Sequence, residues 1–278
     1  NGVTIRGVPV VNSHSGQLYH VSNRSSILPD GAKVGSDTPQ SDGSFRLPFA
    51  TIDYAIGRCK ANRGDVIFVH SGHAESVVAA GGIALDVAGV AIIGLGSGEN
   101  RPTISFATAT AASITVDGNN CSISNMVFKC NIASQAHMID CTATDVAIEN
   151  CDFREGSATG LSFITADTAD ADSDRLAIRN CKFYMPTAGN GDNAIQLAKD
   201  FIQVRIEDCE IDGNFDDAGI HLPAGGNACL DLQIKRCTVR NTLTNVAAVS
   251  INGTSCTGII QDCLLITDTQ SSALDNGS

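Results

Sequence analysis

The chain has 278 residues, 43 % of them apolar, enough for a substantial core and too many for a small stapled scaffold. Aromatic residues make up 5 % with no Trp, charged residues only 17 %, and Gly reaches 27, a balance that favours β structure over an ordinary helical enzyme. The formal charge is −12 and the 18 basic residues form no run, which excludes a nucleic-acid groove, because phosphate binding needs a clustered positive footprint.

Residues 1–47 show no sustained period and are rich in Ser, Gly, Asn and Asp, so they read as an extended arm or small appendage. The first six residues lack a charged region followed by an apolar core, so no signal peptide is expected there. Over 48–59, Phe49, Ile52, Ile56 and Cys59 share one helical face, with Pro48 at the start and Gly57 toward the end. The spacing predicts a short helix that caps the first coil of the chain, a coil opening with the strand Gly64-Asp-Val-Ile-Phe-Val69. The longest apolar stretch, about Val87 to Leu95, is well short of the ~18 residues that span a bilayer, and no membrane insertion is expected.

Beyond that strand one pattern organises the chain. Val146-Ala-Ile-Glu-Asn-Cys-Asp-Phe153 recurs as Leu176-Ala-Ile-Arg-Asn-Cys-Lys-Phe183, Val204-Arg-Ile-Glu-Asp-Cys-Glu-Ile211 and Leu232-Gln-Ile-Lys-Arg-Cys-Thr-Val239, with a weaker copy at Gly258–Leu265. With Leu95 and Met126 in the same slot, the slot falls at 95, 126, 151, 181, 209, 237 and 263, spacings of 31, 25, 30, 28, 28 and 26. Alternation of period two without helical periodicity makes each unit a coil of short strands stacked on the next. Ile148 and Cys151 fall on opposite parities, so the alternation resets at Asn150, which marks a one-residue corner. Such a corner needs positive φ, which Asn and Asp tolerate, and the slots before Cys hold Asn125, Asn150, Asn180, Asp208 and Asp262; Arg236 breaks the row. A third strand per coil is read at Leu161–Phe163, Ala194–Leu197, Gly219–Leu222 and Val249–Ile251. The coils are expected to fill 48–266 and to leave 267–278 as a polar tail, so the last coil presents an open edge for a partner.

Over roughly residues 45 to 266 these strands and the Asn corner row resemble the right-handed parallel β-helix, or pectin-lyase-like, superfamily. The resemblance implies an all-β, right-handed solenoid of three-strand coils, and a function that ranges over lyases, hydrolases, phage tailspikes and inert modules.

Cys151, Cys181, Cys209, Cys237 and Cys263 occupy one inward slot. Neighbouring rungs about 4.8 Å apart with parallel Cβ vectors suit a ladder of free thiols rather than disulfides. A buried reduced ladder also points to folding in a reducing cytoplasm.

The outward residues of the third strand set, read as Ser162, Gln196, His221 and Ser250, carry no carboxylate and no Arg. The best catalytic constellation is Asp212, Asp216, Asp217 and His221, which faintly resembles the acidic and His elements of polygalacturonases; otherwise Asp212 to Asp217 read as a solvated loop. Asp170, Asp172 and Asp174 form an acidic loop able to offer oxygen ligands to calcium, and His70, His73 and Glu75 a further candidate metal set. No cofactor is expected. The blank outer row, the open edge and the N-terminal arm together suggest a non-enzymatic structural or binding module resembling phage head-decoration, fibre or tail components, a homotrimer or bound to other virion proteins, located in a virion or extracellular. The alternatives are a polysaccharide-degrading tailspike or secreted depolymerase (a glycoside hydrolase or polysaccharide lyase) acting on a surface polysaccharide, and a bacterial surface adhesin.

Overall fold

The computed structural model describes residues 4–5, 8–9, 16–25, 32–166, 173–186, 191–225, 228–268 and 273–276. They build a parallel β-helix of three sheets, one ten-stranded and two eight-stranded. Each coil contributes a strand to the first, second and third sheet in turn, for example Ala177–Arg179, Lys182–Met185 and Gly191–Leu197. A separate pair, Thr4–Ile5 with Val8–Pro9, is antiparallel.

Register follows the apolar alternation. In the first sheet Ile67, Ile92, Ile123, Ile148, Ile178, Ile206, Ile234 and Ile260 lie directly above one another. In the second, Ile104, Phe128, Phe153, Phe183, Ile211, Val239 and Leu265 do the same, and the Phe153 ring stacks 4.8 Å from both Phe128 and Phe183. The third sheet stacks Ile83, Ile114, Ile139, Ile164, Ile195, Ile220 and Val249. Apolar side chains at one inward position per coil, all Ile in the first sheet, fill the solenoid in layers, and a one-residue slip would turn each layer outward.

The corner before the slot has the left-handed conformation its residues imply: φ is 58° at Asn125, 54° at Asn150, 51° at Asn180, 56° at Asp208 and 55° at Asp262. Arg236 adopts it as well, at 53°. The slot cysteines are buried from Cys151 to Cys237 and half-buried at Cys263, and all eleven cysteines of the chain are free. Their thiols donate to backbone carbonyls: Cys181 to Arg179 at 3.3 Å, Cys209 to Glu207 at 3.3 Å and Cys237 to Lys235 at 3.3 Å. Leu95 departs from the expected slot and is exposed, because an insertion containing the 3-10 turn Gly98–Asn100 separates it from its second-sheet strand Thr103–Phe106.

The capping helix is shorter than the spacing predicts. Helix α1 spans Ile52–Ile56, with Thr51 as its N-cap accepting from the Tyr54 N–H, and Gly57 ends it. Pro48 lies outside it, so the expected 48–59 helix is corrected to five residues. Ile52, Ala55 and Ile56 bury against the first coil. Residues 18–21 add a parallel strand before Val66–Val69. At the other end Leu264 and Ile259 are exposed.

Candidate functional site

The second sheet presents two outward positions per coil, one and three residues after the Cys slot. Register aligns Asp152, Lys182, Glu210 and Thr238 in one row, and Lys129, Arg154, Tyr184, Asp212 and Arg240 in the next. The insertion after Leu95 brings Glu99 and Arg101 to the same face. Arg101 Nη2 lies 2.9 Å and Arg154 Nη2 2.5 Å from the same Asp152 oxygen, and Arg154 Nη1 reaches Glu99 at 2.8 Å. Lys182 Nζ is 2.7 Å from Glu210, and Arg240 is 3.6 Å from Asp212.

These groups line an open groove of about 490 Å³ bounded by Asp152, Arg154, Lys182, Tyr184, Glu210 and Asp212, continuous through Asp152 and Lys182 with a second recess at Arg101. Burial works against the Asp152 charge, but the Arg154 and Arg101 guanidiniums outweigh it and hold the carboxyl below the usual carboxylate range. Hydrogen bonding to Asp152 raises the Arg154 pKa, and the Glu210 hydrogen bond raises that of Lys182, so both stay cationic. Tyr184 is half exposed, and among the described residues its hydroxyl has no hydrogen-bond partner. Beneath, the Phe128–Phe153–Phe183 stack fixes the strands that carry these side chains. Sequence reading missed this face although its signal lay in the repeat itself: Asp152, Lys182, Glu210 and Thr238 each follow the slot cysteine directly.

The expected constellation is divided. Asp212 belongs to the second-sheet strand Glu210–Gly213, while Asp216, Asp217 and His221 belong to the third-sheet strand Phe215–Leu222. The stretch from Asp212 to Asp217 is therefore strand, not loop, because Asn214 alone makes the corner and turns the chain onto the next face. Asp217 Oδ2 stands 3.3 Å from His221 Nδ1, and burial lowers the His221 pKa despite that charge. Burial and the charges of Asp217 and Asp216 raise the Asp192 carboxyl.

The third-sheet outward row is also corrected. Register places Asp140, Thr165, Gln196, His221, Ser250 and Asp275 in it, whereas Ser162 pairs with His137 and Asn193. The row therefore carries carboxylates. Of the acidic loop, Asp174 accepts from the Ile202 N–H at 2.8 Å, and Asp170 and Asp172 lie outside the described residues. His70 pairs with His20 at 2.9 Å, while His73, buried, bonds Glu75 at 3.0 Å and accepts from the Asn23 N–H. Glu75 also accepts from the first N–H of α1, so these residues fasten the cap. Among the described residues no group of three or more His, Cys, Asp or Glu is placed to hold a metal ion.

No family model matches the chain, and no curated protein does. Among solved structures, a rhamnogalacturonan lyase matches with a TM-score of 0.45 and 13 % identity over 82 % of this chain and 70 % of that one. An alginate lyase from Paenibacillus sp. str. FPU-7 matches with a TM-score of 0.36 and 11 % identity over 81 % of this chain and 96 % of that one. The expectation of a non-enzymatic phage virion module is corrected here. It rested, beside the open edge and the N-terminal arm, on an outer row without carboxylate or Arg, and the second sheet presents both on its outer face. By its three parallel sheets, the chain is a parallel β-helix.

Proposed function

We propose that this chain binds a carboxylated polysaccharide across the outer face of the second sheet and cleaves it by β-elimination. The observation that carries the reading is the convergence of Arg101, Arg154, Lys182 and Tyr184 on one groove, in a chain whose net charge is −12. Cationic side chains at successive rungs about 4.8 Å apart suit a polymer with an acidic group on successive units.

In this reading Arg154, Arg101 and Lys182 receive the uronate carboxylate, and neutralising it acidifies the adjacent C5–H. The Tyr184 hydroxyl oxygen takes the C5 proton. In the same step the C5–H electron pair becomes the C4=C5 double bond, the C4–O4 bond breaks, and O4 leaves with the proton the hydroxyl originally carried, so the phenol is regenerated. Asp152 holds the two guanidiniums in place and takes no proton itself.

The test is incubation with polygalacturonate, alginate and rhamnogalacturonan, following the ultraviolet absorbance of the unsaturated product and, separately, new reducing ends. Both signals rising together on one polymer is the expected result. New reducing ends without unsaturation would replace elimination by hydrolysis, and neither signal on any carboxylated polymer would overturn the reading.

A further inference from the structure

The two ends of the solenoid are finished differently. At the N-terminal end the strand edges are covered: α1 lies across them, Asp53 accepts from the Ala84 N–H at 3.0 Å and Glu75 from the Ile52 N–H at 3.1 Å, and the backbone of Gly43 and Phe49 pairs with that of His20 and Ser22. At the other end Ser255–Gln261, Leu264–Thr267 and Leu274–Asp275 close the three sheets, and among the described residues no strand pairs with their outer sides. Ile260, Cys263 and Leu265 hold inward positions that the coils before them bury, yet they are only partly buried, and Ile259, Leu264 and Leu274 are 46, 57 and 39 % exposed. An apolar cleft of about 430 Å³ opens there, lined by Leu232, Ile251, Cys256, Ile259, Ile260 and Leu274. Unpaired strand edges over an exposed core layer are a template for another protein surface.

Charge indicates which surface that is. Lys33, Arg46, Arg58 and Lys60 are exposed at the capped end, and among the described residues none of them has an acidic partner, whereas Arg101, Arg154, Arg175, Arg179, Arg236 and Arg240 along the coils all do. The rim of the open end carries Asp262, Asp268 and Asp275, all exposed, and no Lys or Arg stands in the sequence after Arg240. Two copies meeting through their open ends would set these carboxylates against one another. An open end meeting a capped end sets them against four unpaired cations. The capped end offers apolar surface as well, with Val34 exposed beside Lys33.

We propose that the open end of the solenoid binds the capped end of a second copy of this chain, head to tail. The contact is heterologous, each copy giving a different face, so it repeats from copy to copy. The apolar cleft and the exposed core layer supply the buried part of the interface, and the acidic rim facing the basic cap sets its direction. This inference stands independently of the elimination reading, since no residue of either face lines the groove.

The test is sedimentation velocity of the full chain at rising concentration, up to about 500 μM, where contacts of sub-millimolar affinity populate. The weight-average mass is expected to climb with concentration. Ile259→Lys with Leu264→Lys at the open end, and Lys33→Glu with Lys60→Glu at the capped end, change exposed side chains only, and circular-dichroism melts check that each double variant folds. Each is expected to weaken self-association about tenfold or more. An equimolar mixture of the two is expected to give a species of twice the monomer mass and none larger, because each variant keeps one intact face. A chain monomeric throughout, or a mixture that stays monomeric, would overturn the proposal. Association lost in the open-end variant but untouched in the capped-end variant would also overturn it, and would assign the open end to a two-fold contact with itself.

Discussion

Arg236 clamps Asp208, the residue at the same corner one coil earlier, through two contacts of 2.7 Å while both hold a left-handed backbone, at φ of 53° and 56°. Arg175 repeats the arrangement on Asp145 at 2.6 and 2.8 Å, with φ of 58° at each. A long side chain at positive φ is strained, and here the bidentate pair to the corner below offsets the strain. Arg236→Gly removes clamp and strain together, whereas Arg236→Ala keeps the strain alone. The alanine variant is therefore expected to unfold at lower urea than the glycine variant, the reverse of the usual order away from such corners. Equilibrium urea melts of the two variants check this; alanine equal to or above glycine would refute it.

The isoleucine layers and the Asn corners were legible because they repeat in residue type as well as in spacing. The other left-handed corner, between third and first sheets, was not. It falls at Asn120, Asp145, Arg175, Gln203 and Asp231, with the same coil period but four residue types in five places, so no single side chain marks it. The site residues show a second limit. Asp212 and Asp216 stand four apart in sequence, yet the single corner residue Asn214 places them on different faces, and no period marks a turn made by one residue. Asp152, Arg154, Lys182 and Tyr184 were in plain view inside the repeat, but which of three faces forms a groove depends on the insertion around Arg101, which breaks the period.

The aromatic stack under the groove supplies a stability test. Phe153 is fully buried between Phe128 and Phe183, with ring planes 7° apart on the Phe183 side. Phe153→Ala is expected to cost about 3–5 kcal/mol of unfolding free energy, because neighbouring rungs cannot collapse into the gap. Urea denaturation measures the loss, and a change under about 1 kcal/mol would contradict a close-packed layer.

The buried thiols, inside the ladder and outside it, predict a chemical silence. Burial pushes the Cys141 thiol up to about 12, and burial with the Asp65 charge does the same to the half-buried Cys59. Hydrogen bonding to Cys151 and Cys209, with burial, raises Cys181 well above the ordinary thiol. Native protein at pH 8 is expected to react only slowly with an aromatic disulfide reagent, and all eleven thiols to react once unfolded in urea. Rapid native labelling of Cys181 or Cys209, located by peptide mapping, would mean that the coils open far more readily than their packing implies.

Protonation should loosen the N-terminal cap as the pH falls. His20 Nδ1 and His70 Nε2 share one hydrogen bond at 2.9 Å, with the Phe45 ring against both. Burial, then the charges of His20, His73 and Arg24, lowers His70 to about 4 from its ordinary 6.5. Burial lowers His20 as well. The unfolded chain therefore binds the extra protons first, so the stabilisation is complete above pH 6.5 and is lost as pH falls toward 4. The Asp65, Asp145, Asp152 and Asp208 carboxyls, all held below their ordinary 3.8, lose theirs only at still lower pH. Urea midpoints from pH 8 to 4 are expected to fall below pH 6.5, and the slope to flatten in His70→Gln; an unchanged slope would place the sensitivity elsewhere.

The groove makes its own demand on kinetics. If Arg154 receives the carboxylate and Tyr184 moves the proton, removing each should leave a different mark. Tyr184→Phe keeps the ring and the rung but removes the hydroxyl, so kcat is expected to fall about 10²–10⁴-fold with KM little changed. Arg154→Ala removes charge from the bound and the reacting polymer alike, so KM should rise together with a loss in kcat. Asp152→Asn leaves both guanidiniums present but without their anchoring charge, and is expected to lower kcat/KM less than Arg154→Ala, since Glu99 still holds Arg154 at 2.8 Å. Tyr184→Phe with full activity would remove the phenol from the reaction. The base would then have to be sought among Glu155, Glu210 and Asp212, the groove carboxylates other than the anchoring Asp152.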